Sequence, residues 1–141
     1  MIEVNNLTKT VVDEELLKNL GQKILDQEGI EKEVEVSVAL VEEKEIQELN
    51  RIFRDEDEPT DVLSFEEGSK FVSPPAEVKQ LGEIVICPSQ IKDSPQGVGR
   101  LFVHGLLHLL GYNHQTEKEA EIMESKEKKY LTLFSNEHGS G

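Results

Sequence analysis

The apolar positions change period between residues 14 and 41, and this change most constrains the fold. Leu16, Leu17, Leu20, Ile24 and Leu25 recur at helical spacing, which predicts a helix over 14–28 with one apolar face and Asp13 as its N-cap. Over 33–41 the spacing becomes two. Val34, Val36, Val38 and Leu40 line one face, while Ala39 and Val41 make part of the other apolar too, as in a strand covered on both sides. A chain that alternates these periods within 141 residues folds as one layered domain.

The same reading extends along the chain. Ile2 and Val4 suggest an edge strand. A helix is predicted over 42–53 with Ile46, Leu49 and Phe53 inward, followed by the acidic turn Asp55–Glu58 that Pro59 closes. Strands follow over 62–65 and 81–86, separated by a loop over 66–80 that holds Gly68, Pro74 and Pro75. Pro95 and Gly97 lead into an apolar helix over 98–110, which Gly111 stops. Thr116 and Glu119 then form a capping box for a final helix over 117–134 whose apolar residues are Ile122, Met123, Tyr130, Leu133 and Phe134. The expected fold is α+β, a small single domain over 1–138 with a mixed, mainly four-stranded sheet covered by helices. Residues 139–141 form a tail, and His138 beside it stands outside any site.

Charge narrows the function. Acids outnumber bases by 29 to 15, giving a formal net charge of -14, so a broad basic nucleic-acid surface is excluded. The excess is uneven: residues 1–65 hold 18 acids and 7 bases, whereas 66–141 hold 11 and 8. One cysteine, Cys87, excludes an internal disulfide framework and a multi-cysteine zinc ribbon; it reads as a small buried residue. The start of the chain does not read as a secretory signal, and no apolar run is long enough to span a bilayer. A cytoplasmic location without a membrane partner is expected.

His104 and His108 lie four apart on the apolar helix, so their rings leave one face a turn apart. Gly111 can turn the chain back and bring His114 beside them. Three imidazoles leave one tetrahedral position open for water, the pattern of catalytic rather than structural zinc. Glycine follows His104 where zinc proteases carry glutamate, which disfavours peptide hydrolysis by that route. Arg54 precedes the acidic turn. Its planar fork suits phosphate, and pairing with Asp55 or Asp57 is the local alternative. Thr60, Asp61 and Ser64 are explained by local turn bonding, although Asp61 could orient Arg54 or a metal ligand. Lys126, Lys128 and Lys129 read as a solvated helix face.

The run from His104 through Gly111, Tyr112 and Asn113 to His114 closely resembles the metal motif of the YbeY family, the bacterial rRNA maturation endoribonucleases. Two more blocks occur in that family's order: Leu49-Asn50-Arg51-Ile52-Phe53-Arg54 with Asp57 and Pro59 through Phe65, and Leu81 through Pro88. The resemblance implies a zinc-dependent endoribonuclease, a hydrolase acting on RNA phosphodiester bonds, with one Zn2+ held by His104, His108 and His114 and with Arg54 lining the cleft. It implies single-stranded RNA or rRNA as substrate and the small ribosomal subunit and its proteins as partners, with no DNA partner. Asp61, Glu83, Tyr112 and Asn113 are substrate or supporting candidates. Two residues depart from the family pattern: Asn113 and Glu83 stand where Asp is usual. Asn113 cannot act as a carboxylate base. The competing readings are a metal hydrolase of another substrate and a partner-dependent ribosome-assembly factor with a structural metal.

Overall fold

The helix that carries His104 and His108 packs directly against a mixed four-stranded sheet, and that contact organises the molecule. The computed structural model describes residues 2–30, 34–66, 79–91 and 97–137. Elements run in the order β1 (Ile2–Asn6), α1 (Glu14–Gln27), β2 (Val34–Leu40), α2 (Glu43–Arg54), β3 (Val62–Glu66), β4 (Lys79–Ile86), a short turn of helix at Pro88–Gln90, α3 (Gly97–Leu109) and α4 (Glu117–Glu137). The expected loop over 67–78, Pro95, His138 and the tail at 139–141 lie outside the described residues. No helix among the described residues is long and apolar enough to cross a membrane.

The sheet order is β1-β2-β4-β3. β1, β2 and β4 are parallel, and β3 runs antiparallel to β4 at one edge. This is the α+β fold with a mixed sheet that the alternating periods predict. Alternation along the strands sorts the core into two layers. Val36, Val38, Leu40, Ile84 and Ile86 pack with α1, α3 and α4 through Leu20, Ile24, Phe102, Leu106, Met123 and Tyr130. On the opposite face, Val41, Leu63, Phe65, Val85 and Cys87 pack under Ile46 of α2.

Element ends follow local chemistry. The Asp13 side chain accepts from the Leu16 N–H at 3.1 Å, capping α1. Thr116 and Glu119 exchange the two bonds of a capping box, each at 3.1 Å, at the start of α4. β4 starts two residues before its apolar run. Lys79 and Gln80 pair with Val34 and Glu35, and Gln80 donates to the Glu35 carboxylate at 3.1 Å. These polar residues conceal a strand end in the sequence. α2 extends to Arg54, beyond the expected 53, because Asp55 takes a left-handed conformation, φ 57°. In α4 the expected inward Ile122 is instead 46% exposed, while Met123 and Tyr130 are buried and Leu133 packs at the margin of the core. The side chain of Phe134 lies outside the described residues.

Candidate metal centre

α3 sits close to the sheet because residue 105 is glycine. A Cβ there would lie 2.8 Å from Ile84 Cγ2 and 3.2 Å from Ser64 Oγ. The contact also gives a structural reason for the missing protease glutamate: position 105 faces the sheet, leaving no room for that side chain. His104 and His108 flank this contact and emerge toward β3.

The end of α3 is a Schellman turn. Gly111, at φ 103°, donates its N–H to the His108 carbonyl at 3.0 Å, and Tyr112 donates to the Leu107 carbonyl at 3.0 Å. The turn reverses the chain and returns His114 to the other two histidines. Ring centroids are 4.6 Å apart for His104–His108, 5.3 Å for His108–His114 and 6.1 Å for His104–His114. One nitrogen from each ring falls within a group no wider than 4.8 Å. Nε2 of His104 and Nε2 of His108 face each other at 3.2 Å. Two nitrogens on tetrahedral zinc at about 2.0–2.1 Å would be about 3.4 Å apart, so this pair fits such an ion.

The opposite side of the His104 ring is also engaged. His104 Nδ1 lies 3.2 Å from Glu127 Oε1, the carboxylate–histidine arrangement that fixes the tautomer of a metal ligand. Burial, followed by the neighbouring His104 and His114 rings, pushes the His108 pKa down. At His108 the net effect favours the neutral imidazole that a metal ion requires.

An open cleft of about 310 Å³ runs from these rings along the edge strand, lined by Arg54, Ser64, Glu66, His104, His108 and Leu109 among others. Arg54 donates from Nη2 to the Ser64 carbonyl at 2.8 Å and lies over the Phe65 ring, 5.2 Å from its centroid. No ion pair joins it to Asp55 or Asp57 among the described residues; Asp57 instead accepts from Gln47 at 3.1 Å.

The other sequence candidates are more scattered. Asp61 Oδ1 accepts from the Thr60 hydroxyl at 3.5 Å, its backbone carbonyl accepts from Cys87 N–H at 2.9 Å, and it does not line the cleft. Glu83 shares the sheet face of Val85 and Cys87, turned away from α3, and burial pushes its pKa up to about 7. Asn113 Oδ1 accepts from the Gln115 N–H at 3.4 Å, closing a local turn. Tyr112 donates its hydroxyl to Glu28 at 2.6 Å. Cys87 is buried on the α2 face, apart from the histidines. Lys126 is not simply solvated: it pairs with Glu28 at 3.0 Å.

Sequence reasoning missed Glu127 and Glu66. Glu127 is one glutamate among many on α4, and only its separation of 23 residues from His104, closed by tertiary packing, distinguishes it. Glu66 stands at the last position of β3, where the sequence predicts the start of a loop.

The family model for "Endoribonuclease YbeY" matches residues 3–135. This chain belongs to the YbeY family. A YbeY from Bacillus velezensis, named as an endoribonuclease, is 38% identical, with 94% of this chain and 91% of that protein covered. The Bacillus subtilis YbeY is 37% identical, covering 87% and 88%. The solution structure of TM1509 from Thermotoga maritima superposes with a TM-score of 0.60 at 33% identity, covering 97% of this chain and 91% of that one. YbeY membership spans both the histidine segment and the strand–helix framework that positions it.

Proposed function

We propose that this protein is a zinc-dependent endoribonuclease acting on single-stranded RNA in rRNA maturation, including small-subunit 3′-end processing and ribosome quality control in the cytoplasm. One observation carries the reading: three histidine nitrogens converge, and two of those histidines, His104 and His108, line one open cleft with Arg54. The YbeY relatives support the substrate class.

His104, His108 and His114 would hold one Zn2+, with Glu127 fixing the orientation of His104. When bound, zinc supplies Lewis acidity toward a phosphoryl oxygen and acidifies water. Arg54 binds and orients the phosphodiester. Its bonds to the Ser64 carbonyl from Nη2 and to the Phe53 carbonyl from Nη1 fix the plane of the guanidinium, and of its five N–H donors the others remain for phosphate oxygens. Among the described lining residues Glu66 carries the carboxylate, and it takes the proton-accepting role that Asn113 cannot fill. Asp61 and Glu83, which do not line the cleft, are assigned to the turn and sheet rather than to the chemistry. The small ribosomal subunit, through its rRNA and proteins, is the partner that delivers substrate to so acidic a protein.

The test is cleavage of an end-labelled single-stranded RNA by metal-defined protein, compared in chelated and zinc-restored samples with folding checked in parallel. Zinc-dependent products are expected. They should disappear in folded His108→Ala and fall on the order of a hundredfold in Arg54→Ala. A folded, zinc-loaded protein that cuts no RNA alone or with small subunits would refute the ribonuclease reading and favour the assembly factor.

A further inference from the structure

Glu28 ends α1, on the far side of the third-ligand loop from the cleft, yet it receives three donors from two other parts of the chain. The Tyr112 hydroxyl donates to Oε1 at 2.6 Å. Lys126 Nζ donates to Oε2 at 3.0 Å, and the Tyr130 hydroxyl donates to the same oxygen. The Glu28 side chain is only 11% exposed, and Tyr130 is fully buried. Burial opposes the charged carboxylate, but the bonds from Tyr112, Tyr130 and Lys126 together with the Lys126 charge outweigh it and hold its pKa below the usual value. A carboxylate so nearly enclosed and so fully partnered fixes the groups around it.

Tyr112 is the decisive partner. It is the last residue of the Schellman turn that closes on the Leu107 and His108 carbonyls, and it precedes His114 by two residues. The turn and this hydroxyl anchor Tyr112 at opposite ends of the residue.

We infer that Glu28 is a positioning residue for the metal centre: through the Tyr112 hydroxyl it fixes the turn that follows His108 and delivers His114. The inference rests on the three-histidine metal reading and deepens it. It assigns Glu28 no contact with metal or RNA. The gain is pre-organisation, since a loop held in its binding conformation loses less freedom when its ligand binds. Lys126 and Tyr130 seat the carboxylate from α4, which also supplies Glu127 to His104. One helix thereby braces both the first ligand and the loop of the third.

The experiment is direct Zn2+ titration of folded protein by competition with a chromophoric chelator, with apo-protein stability measured separately. Tyr112→Phe, which removes one oxygen, is expected to weaken zinc binding about tenfold. Glu28→Gln should do the same, and the double variant should lose little more than either single one, because both changes break one link. Asp13→Ala, which removes the N-cap at the other end of α1, should lower apo stability while changing zinc affinity by less than about twofold. If Glu28→Gln fails to fold, the Tyr112→Phe and Asp13→Ala comparison still decides.

Equal zinc affinity in wild type and Tyr112→Phe would overturn the inference. So would equal losses in Tyr112→Phe and Asp13→Ala, which would mark general loosening. The metal reading has its own control: His114→Ala must weaken zinc binding. Unchanged affinity there would overturn the three-histidine site itself, and the inference with it.

Discussion

Gly105→Ala is the sharpest perturbation of the architecture beneath the candidate centre. The added Cβ would stand 2.8 Å from Ile84 Cγ2, 3.2 Å from Ser64 Oγ and 3.3 Å from Ile84 Cγ1. Carbon atoms in comfortable contact sit about 3.5–4.0 Å apart, so relief requires a shift of about 1 Å. Ile84 is fully buried in the central strand and cannot yield by rotating into solvent. α3 must therefore lift from the sheet. Alanine's better helix propensity returns about 1 kcal/mol, while overpacking costs about 1–3 kcal/mol. The net expectation is destabilisation of up to about 2 kcal/mol, a loss of up to about 8 °C in Tm for a domain of this size. The larger effect should be functional, because His104 and His108 ride on the displaced helix while Arg54 does not. Thermal and urea denaturation measure the first part; zinc titration and RNA cleavage measure the second. An alanine variant as stable as wild type with unchanged zinc affinity would refute the reasoning that close packing at this glycine sets the height of the ligands.

Four further outcomes are expected. Glu83 protonates in the folded state near pH 7 against an ordinary 4.5, so the fold binds its proton more tightly than the unfolded chain does. Its contribution is greatest below the ordinary pKa and is lost as pH rises from about 4.5 through 7. After discounting for partial exposure, Glu83→Gln should flatten the stability profile between pH 5 and 8 by about 1–2 kcal/mol, and parallel denaturation profiles for the two proteins would contradict this. Glu127→Ala should weaken zinc binding by about 10- to 100-fold, read by competition titration. Asp13→Ala removes the α1 cap and should cost about 1 kcal/mol in urea denaturation, with RNA cleavage retained. Zinc removal should lower Tm in wild type but not in His108→Ala if the site binds only folded protein, as differential scanning calorimetry would report.

Much of the fold was legible because period and caps agree. The alternation in β2, the helical spacing in α1 and the Thr116–Glu119 capping box each identify an element from a few neighbouring residues. The ends of β4 and α2 were less legible. Lys79 and Gln80 are polar and join the sheet only through partners about 45 residues earlier, while the end of α2 depends on a left-handed conformation at Asp55 that acidic residues adopt only sometimes. At the candidate site, a short sequence interval holds all three histidines, so their convergence follows from helix geometry and one glycine. The supporting carboxylates carry no such local signal. Glu28 and Glu127 look like ordinary surface acids until α4 folds over α1 and α3. The position of Glu83 away from the cleft was similarly hidden, since strand parity places a residue on a face without revealing which face meets α3.

The strand order β1-β2-β4-β3 has a consequence for how this molecule is born. β4 occupies a central slot between strands formed much earlier in the chain, so the sheet cannot close until residues 79–86 arrive. Glu28 waits longer still, meeting Tyr130 across 102 residues. Such distant pairings make folding slow to reward its early steps. While the chain is being synthesised, β1, β2 and α1 have apolar faces with no α3 or α4 to cover them, and they are exposed to aggregation or chaperone capture. The segment bearing all three histidines emerges before the helix that braces it. Completion of the histidine cluster is therefore coupled to completion of the whole fold, and a chain cut before Tyr130 would possess all three histidines but lack the framework that aligns them.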